Sequence, residues 1–320
     1  MRRTDTAALE AVAACHHGLI TRPDAAAHGI TPATLRWALA SGRLHRVMTG
    51  VFTMADHWER LTPRDRHLLV LLAAQRRSPR SVVCGLSAAV AWQLPLPEVG
   101  APTLMSAQRR GQQAGIRWRR LAVNRARRVG ALVVTSPART VLDCARELDR
   151  PWGLAVADAA LHAGLCTREE LTAELVGAEP AAGLSKARWV IKRARSEPES
   201  PLESLGRADL DLAGLAVPEP QSWVPTERGW FRVDLLDGES RVVTEADGKV
   251  KYEGRPAVWA EKLRQDDIRD LQLEVVRFTM YDHHHQAPWL AQYRRALVRG
   301  RRTAELLGPM PTDLRPDWLP

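Results

Sequence analysis

The 320-residue chain is 45% apolar and 26% charged, a composition that excludes a disordered protein, and its length calls for two or three cores. With 46 Lys and Arg against 37 Asp and Glu, the net charge of +9 favours a polyanionic partner, most often nucleic acid. Cys15, Cys84, Cys144 and Cys166 form no CxxC pair, which argues against a zinc site and a disulfide scaffold, and the longest apolar run, Leu68 to Ala74, is far too short to span a bilayer. A cytoplasmic protein without membrane contact is expected.

Residues 7–17 read as a helix stopped by Gly18. Thr21 precedes a short helix closed by Gly29, and Thr31 with Pro32 is an N-cap followed by proline at the first helical position, in a helix ended by Gly42. Two short helices joined by a Gly-containing turn match a helix-turn-helix. The following RLHRVMTGVFTM alternates around Gly50 as a wing hairpin would. Leu35, Ala38 and Leu39 are spaced for burial, which leaves Thr34, Arg36 and Trp37 outward, with Arg43, His45 and Arg46 at the wing. These six are the expected DNA contacts, the helix start in the major groove and the wing on phosphate.

Ser106 to Arg128 holds eight arginines and no acid, and Trp118 sits between Arg117 and Arg119. Arg109, Arg110, Arg117, Arg119 and Arg120 would neutralise phosphates without reading sequence, although a solvated face has the same composition. Residues 186–201 pass from a basic helix into a Ser/Glu/Pro segment, so a domain boundary is expected near residue 196.

Beyond it the pattern reads α-β-β-β-α-β and ends in a helix near Leu290, an α/β core with a small mixed sheet. FRVDLLDGESRVVTEADGKVKY is a hairpin pattern. If Gly238 and Glu239 form its loop, Asp237 opposes Ser240 and Asp234 opposes Val243, and Asp234, Glu245 and Asp247 share a face. A one-residue slip would separate Asp234 from the others. Clustered carboxylates are costly unless neutralised, and Mg²⁺ or Mn²⁺ held by Asp234 and Glu245 would do so and activate water for phosphodiester hydrolysis, with Lys249 or Lys251 to orient it. Glu203 lies three residues after Ser200 and reads equally as a capping box, and Asp247-Gly248 as a turn. The consecutive His283, His284 and His285 cannot all point one way, so they are expected to be loop residues.

TRPDAAAHGITPATLRWALASGRLHRVMTGVFTM resembles the N-terminal winged helix of AbiEi-type antitoxins, which implies binding to promoter DNA and a nucleotidyltransferase-type toxin encoded nearby. GLSAAVAWQLPLP, VVTSPARTVLDCAREL and AVADAALHAGL resemble the middle region of proteins of that architecture. SPLESL, FRVDLL, VVTEADG and the ending VVRFT resemble the Vsr-like branch of PD-(D/E)xK endonucleases over roughly residues 199–298. That resemblance implies Asp234 and Glu245 as metal ligands, Asp247 as the second acid of an ExDG motif and Glu203 as the helix glutamate, with Arg277 at a basic strand position. The chain departs from the pattern in carrying Asp247 two residues after Glu245, where the superfamily has its lysine.

The expected fold class is therefore multidomain α/β. It comprises a winged helix-turn-helix over 1–55, a middle α+β region over 56–195, a restriction-endonuclease-like α/β domain over 196–300 and a tail over 301–320. The expected function is a DNA-binding, metal-dependent endonuclease. The alternative is an AbiEi-like antitoxin or repressor whose nuclease fold is weak or silent.

Overall fold

The computed structural model describes residues 3–120, 126–248, 267–316 and Trp318. Helices and three sheets are distributed over two compact units, Met1–Cys144 and Ala145–Pro320, a mixed α/β multidomain architecture.

Unit 1 begins with α1 (Arg3–Cys15), β1 (Ile20–Thr21), α2 (Arg22–Ala27), α3 (Pro32–Ala40), β2 (Leu44–Met48) and β3 (Val51–Met54). The strands form an antiparallel sheet in the order β1-β3-β2, which with this element order is a winged-helix arrangement. Local chemistry fixes the helices. Thr21 Oγ1 accepts from the Asp24 amide and the Asp24 carboxylate accepts from the Thr21 amide, a complete capping box, while Thr31 caps α3 at the Thr34 amide. Leu9, Val12, Ile20, Ala25, Ile30, Leu35, Ala38, Leu44 and Phe52 form the core beneath them.

The unit continues through α4 (Ala55–Arg60), α5 (Pro63–Arg77), β4 (Val82–Val83), α6 (Gly85–Ala91), β5 (Thr103–Met105), β6 (Gly111–Gln113), β7 (Ile116–Arg119), β8 (Ala126–Val129) and β9 (Leu132–Thr135). The six strands make one mixed sheet in the order β6-β7-β5-β4-β9-β8. Leu69 and Ala73 of α5 pack with Leu19 and Val51, so within unit 1 the winged helix and the elements after it share apolar contacts. Gln75 of α5 donates to the carbonyls of Ser81 (3.0 Å) and Val133 (2.7 Å) and accepts from the Val133 amide. The next helix, α7 (Pro137–Glu147), follows β9.

Unit 2 holds α8 (Arg150–His162), α9 (Arg168–Val176), α10 (Leu184–Arg193), α11 (Pro201–Leu212), β10 (Glu219–Thr226), β11 (Gly229–Asp237), β12 (Val242–Ala246), β13 (Glu274–Phe278), α12 (Met280–His284) and α13 (Gln286–Leu307). Its sheet runs β10-β11-β12-β13, antiparallel except for the parallel pair β12–β13. One core gathers Ala155, Leu202, Leu205, Val242, Val276, Phe278, Trp289 and Tyr293, and a second gathers Val224, Leu236, Val243, Ile268, Leu273 and Met310.

Two expectations change here. The Ser/Glu/Pro segment around residue 196 lies inside unit 2, where Ala155 before it packs with Leu202 and Leu205 after it. The buried pair Asp158–Arg207 (2.7 Å) also crosses it. Residues 301–307 are not a tail but the end of α13, and the Met310 amide donates to the Gly238 carbonyl at 2.9 Å.

Candidate functional site

Two places carry the expected chemistry, the exposed rim of the winged helix and the acid-bearing strands of unit 2. On α3, Leu35 and Ala38 are buried, whereas Arg36 and Trp37 are exposed, Trp37 by 41%. The 3.6-residue period turns these two to solvent while the cap at Thr31 holds the helix start. Thr34 is half-buried and its hydroxyl lies 3.0 Å from that of Thr31, so it serves the cap as well as the rim. The Arg43 guanidinium lies 5.5 Å from the Trp37 ring centroid and donates to Thr6 Oγ1 at 2.7 Å.

On the wing, Arg46 is exposed, and its Cα partner across the hairpin is Phe52. His45 departs from the expected wing contact. Its ring stacks on Trp58 at 4.2 Å, and burial, assisted by the Arg66 charge, holds its pKa below the ordinary imidazole range. A neutral, stacked imidazole is a poor phosphate ligand.

The basic segment is split by strand periodicity. Ile116 and Trp118 of β7 point inward, and Arg117 and Arg119 alternate with them. Trp118 is buried and covered by Arg109 at 4.8 Å, so it is not available to stack on a base. Arg109, Arg110, Arg117 and Arg120 are exposed, and Arg119 is half-buried near Gly85.

In unit 2 the hairpin closes differently from the two-residue loop expected at Gly238 and Glu239. The last pair is Asp237↔Val242, and residues 238–241 form a four-residue connection. Asp237 Oδ1 accepts from the Ser240 amide (3.0 Å), Arg241 takes φ +51°, and the Arg241 guanidinium is anchored on the carbonyls of Gly308 (3.1 Å) and Leu271 (2.5 Å). The register is thus two residues away from expectation, with Leu235↔Thr244 paired where Asp234 had been set against Val243. A slip of two preserves parity, so Asp234 falls next across from Glu245 and the face argument survives.

Glu245 is in turn the Cα partner of Arg277 on β13, and Gln221 of β10 falls between the pairs Pro220↔Leu235 and Ser222↔Val233, opposite Asp234. A row Gln221, Asp234, Glu245, Arg277 therefore crosses the four strands. Asp234 Oδ2 accepts from the Ala246 amide at 2.8 Å. Asp247 Oδ2 lies 3.8 Å from Arg277.

Glu203 is buried, and one of its carboxylate oxygens accepts from Gln221 Nε2 (2.7 Å) and the Glu199 amide (3.1 Å), while the Ser200 hydroxyl caps the Glu203 amide. The cap is one-sided, because the carboxylate bonds Glu199 and not the N-cap residue. Lys249, Lys251 and Tyr252 lie outside the described residues. Among the described residues no three His, Cys, Asp or Glu side chains gather as a metal site.

A sequence profile described as the AbiEi antitoxin C-terminal domain matches residues 6–192, more than half of the chain. The chain belongs to the AbiEi antitoxin family. Two Mycobacterium tuberculosis proteins, uncharacterized protein MT2308 of strain CDC 1551 / Oshkosh and uncharacterized protein Rv2248 of strain ATCC 25618 / H37Rv, are each 30% identical to it over 159 residues. Those matches span 49% of this chain and 59% of the relatives, so the chain covers about three fifths of their length. The crystal structure of the RV2827C protein from Mycobacterium tuberculosis aligns with 70% of this chain and 89% of its own, at 13% identity and a TM-score of 0.43.

In this AbiEi-family chain the profile match runs from the winged helix through α10 and ends short of Glu203, Asp234 and Glu245. Among the described residues no helix is long and apolar enough to cross a membrane. Sequence reasoning missed Gln221, which no motif marks and which its position on β10 opposite Asp234 brings into the row. It also missed that His283 is no loop residue. His283 lies in α12, is buried and pairs through Nδ1 with Asp209 Oδ2 at 2.9 Å, while His284 and His285 are exposed.

Proposed function

We propose that this AbiEi-family protein is a DNA-binding regulator of antitoxin type, which occupies its own promoter through the winged helix and counteracts a partner toxin. The single observation that carries the reading is the rim of that winged helix, where Arg36 and Trp37 stand exposed on α3 and Arg46 on the wing. On this reading α3 enters the major groove, with Thr34 beside the helix start, Arg43 braces Trp37, and Arg46 meets phosphate. Arg109, Arg110, Arg117, Arg119 and Arg120 would add salt-dependent, sequence-blind attraction. The family supports a toxin partner, and the resemblance of the N-terminal segment favours a nucleotidyltransferase-type toxin.

The test is a footprint on the promoter of the protein's own operon against a scrambled fragment of equal length. A protected site that disappears with Arg36→Ala supports the reading, and equal affinity for both fragments sinks it.

A second reading, metal-dependent DNA cleavage, rests on Asp234 and Glu245 lying next to each other across β11 and β12. Mg²⁺ or Mn²⁺ there would polarise a phosphate and activate water. The described carboxylates fit that group incompletely, because Glu203 is bonded by Gln221 and Glu199, and Asp247 leans towards Arg277. Binding therefore ranks ahead of cutting. Nicking of supercoiled plasmid that requires Mg²⁺ or Mn²⁺, stops with EDTA and is lost in Asp234→Ala and Glu245→Ala would reverse that order.

A further inference from the structure

We infer that the solvent-facing side of α13 is a second, sequence-blind contact for the phosphate backbone of duplex DNA. The inference rests on the DNA-binding reading but concerns unit 2, where that reading places no contact. Trp289, Tyr293, Ala296, Leu297 and Gly300 bury one side of α13, and the opposite side exposes Arg294, Arg295, Arg299, Arg301 and Arg302 with Glu305 as its single acid.

Most described arginines of unit 2 are committed to a partner. Arg193 pairs with Asp211, Arg207 with Asp158, and Arg241 binds two carbonyls. On α13 itself, Arg299 holds Glu274 at 2.6 Å and Arg301 donates to Ser240 Oγ. Arg294, Arg295 and Arg302 differ, because among the described residues they have no ion pair and no side-chain hydrogen bond, yet the fold turns all three to solvent.

Their spacing is regular. Arg294 with Arg301 and Arg295 with Arg302 form two rows seven residues apart, which is about 10.5 Å along the axis, and the whole 22-residue helix is roughly as long as one turn of DNA. A protein-binding face would place apolar side chains at its centre and deplete charge there. Here the middle of the exposed side is guanidinium flanking Val298, with Leu306 and Leu307 exposed at the C-terminal end of the helix, and lysine is absent from it. The planar guanidinium fork suits phosphate oxygens better than a point charge does.

The test uses the full chain and a labelled random-sequence duplex of about 30 base pairs, titrated by anisotropy from about 50 to 300 mM NaCl. Arg294→Gln/Arg295→Gln/Arg302→Gln should weaken binding at least about tenfold at low salt and reduce the log–log salt slope by about 2–3, since each lost phosphate contact removes about 0.9. A triple Arg→Lys variant should keep most of the slope. Because the three side chains are exposed, an unchanged melting curve separates lost contact from lost fold.

Wild-type affinity and slope in the Gln triple would overturn the inference. Arg36→Ala in parallel separates the two readings. If it loses promoter preference while the triple changes nothing, only the α13 contact falls. If the triple lowers the slope while Arg36→Ala changes nothing, the winged-helix reading falls and the α13 contact stands. If the wild-type chain binds no duplex, both fall.

Discussion

The rim of the winged helix and the acid-bearing strands of unit 2 handle charge in opposite ways. Arg36 and Arg46 point to solvent from elements whose internal bonds, the Thr31 cap and the β2–β3 ladder, are already complete without them. The acids of the strands and their neighbouring helix are drawn into the protein's own bonding. Asp234 takes the Ala246 amide, Glu203 takes Gln221 and the Glu199 amide, and Asp247 faces Arg277. A charged residue in a motif points to an external ligand only to the extent that the fold has left it unmatched. On that measure the rim of the winged helix outranks the acidic row as a candidate contact, although the row is the more conspicuous sequence pattern.

Several substitutions would break or sharpen this contrast, the largest of them where a charge is most fully consumed. Arg207→Met strands the Asp158 carboxylate, which is 1% exposed and whose pKa burial raises to about 6 against the attraction of Arg207. Removing one partner of such a pair should cost about 3–5 kcal/mol in urea denaturation, and Asp158→Leu with Arg207→Met should restore most of it. A single-variant loss below about 1 kcal/mol would mean that the pair does not fasten α8 to α11.

The next effect belongs to unit 1 and is driven by pH. His67 is buried with its Nε2 2.9 Å from Ser87 Oγ, and burial lowers its pKa from 6.5 to about 4. A depressed folded-state pKa means that the neutral ring stabilises the fold. That contribution is fully present above pH 6.5 and is lost as pH falls towards 4. The loss should reach about 3 kcal/mol, and it should vanish in His67→Gln if this ring is the cause.

At the rim, Arg36→Ala should weaken promoter binding by about 1–3 kcal/mol and Arg46→Ala should mainly reduce the salt slope by about 1. Asp234→Ala should leave both unchanged. Equal losses from Arg36→Ala and Asp234→Ala would place the acidic strands in the DNA interface and erase the contrast drawn above. Smallest of all, Thr21→Ala removes the cap of α2 and should lower stability by about 1 kcal/mol in thermal or urea unfolding.

The winged helix of unit 1 was legible in the sequence because its determinants are local, whereas the six-stranded sheet that follows it was not. Thr21 with Asp24, Thr31 with Pro32, and Gly42 each act within about one helical turn, and Gly50 closes the wing hairpin. The acidic face in unit 2 was legible for a different reason. A strand alternates with period two, so the parity of Asp234 and Glu245 held even though the register was two residues off. The loop itself was misjudged because Arg241 is fixed by the carbonyls of Gly308 and Leu271, groups that turn chemistry at Asp237 and Gly238 does not foresee.

The sequence alone therefore determined the caps of α2 and α3, the wing, the outward turn of Arg36 and Trp37 and the parity of the strands, since each follows from bonds and periodicities spanning a few residues. Tertiary structure decided which charges remain available. Asp158 meets Arg207 across 49 residues, Asp209 meets His283 across 74, and the arginines of α13 become a solvent face only once Trp289 and Tyr293 bury its other side. Desolvation and partner choice depend on what packs alongside, and no local pattern carries that information.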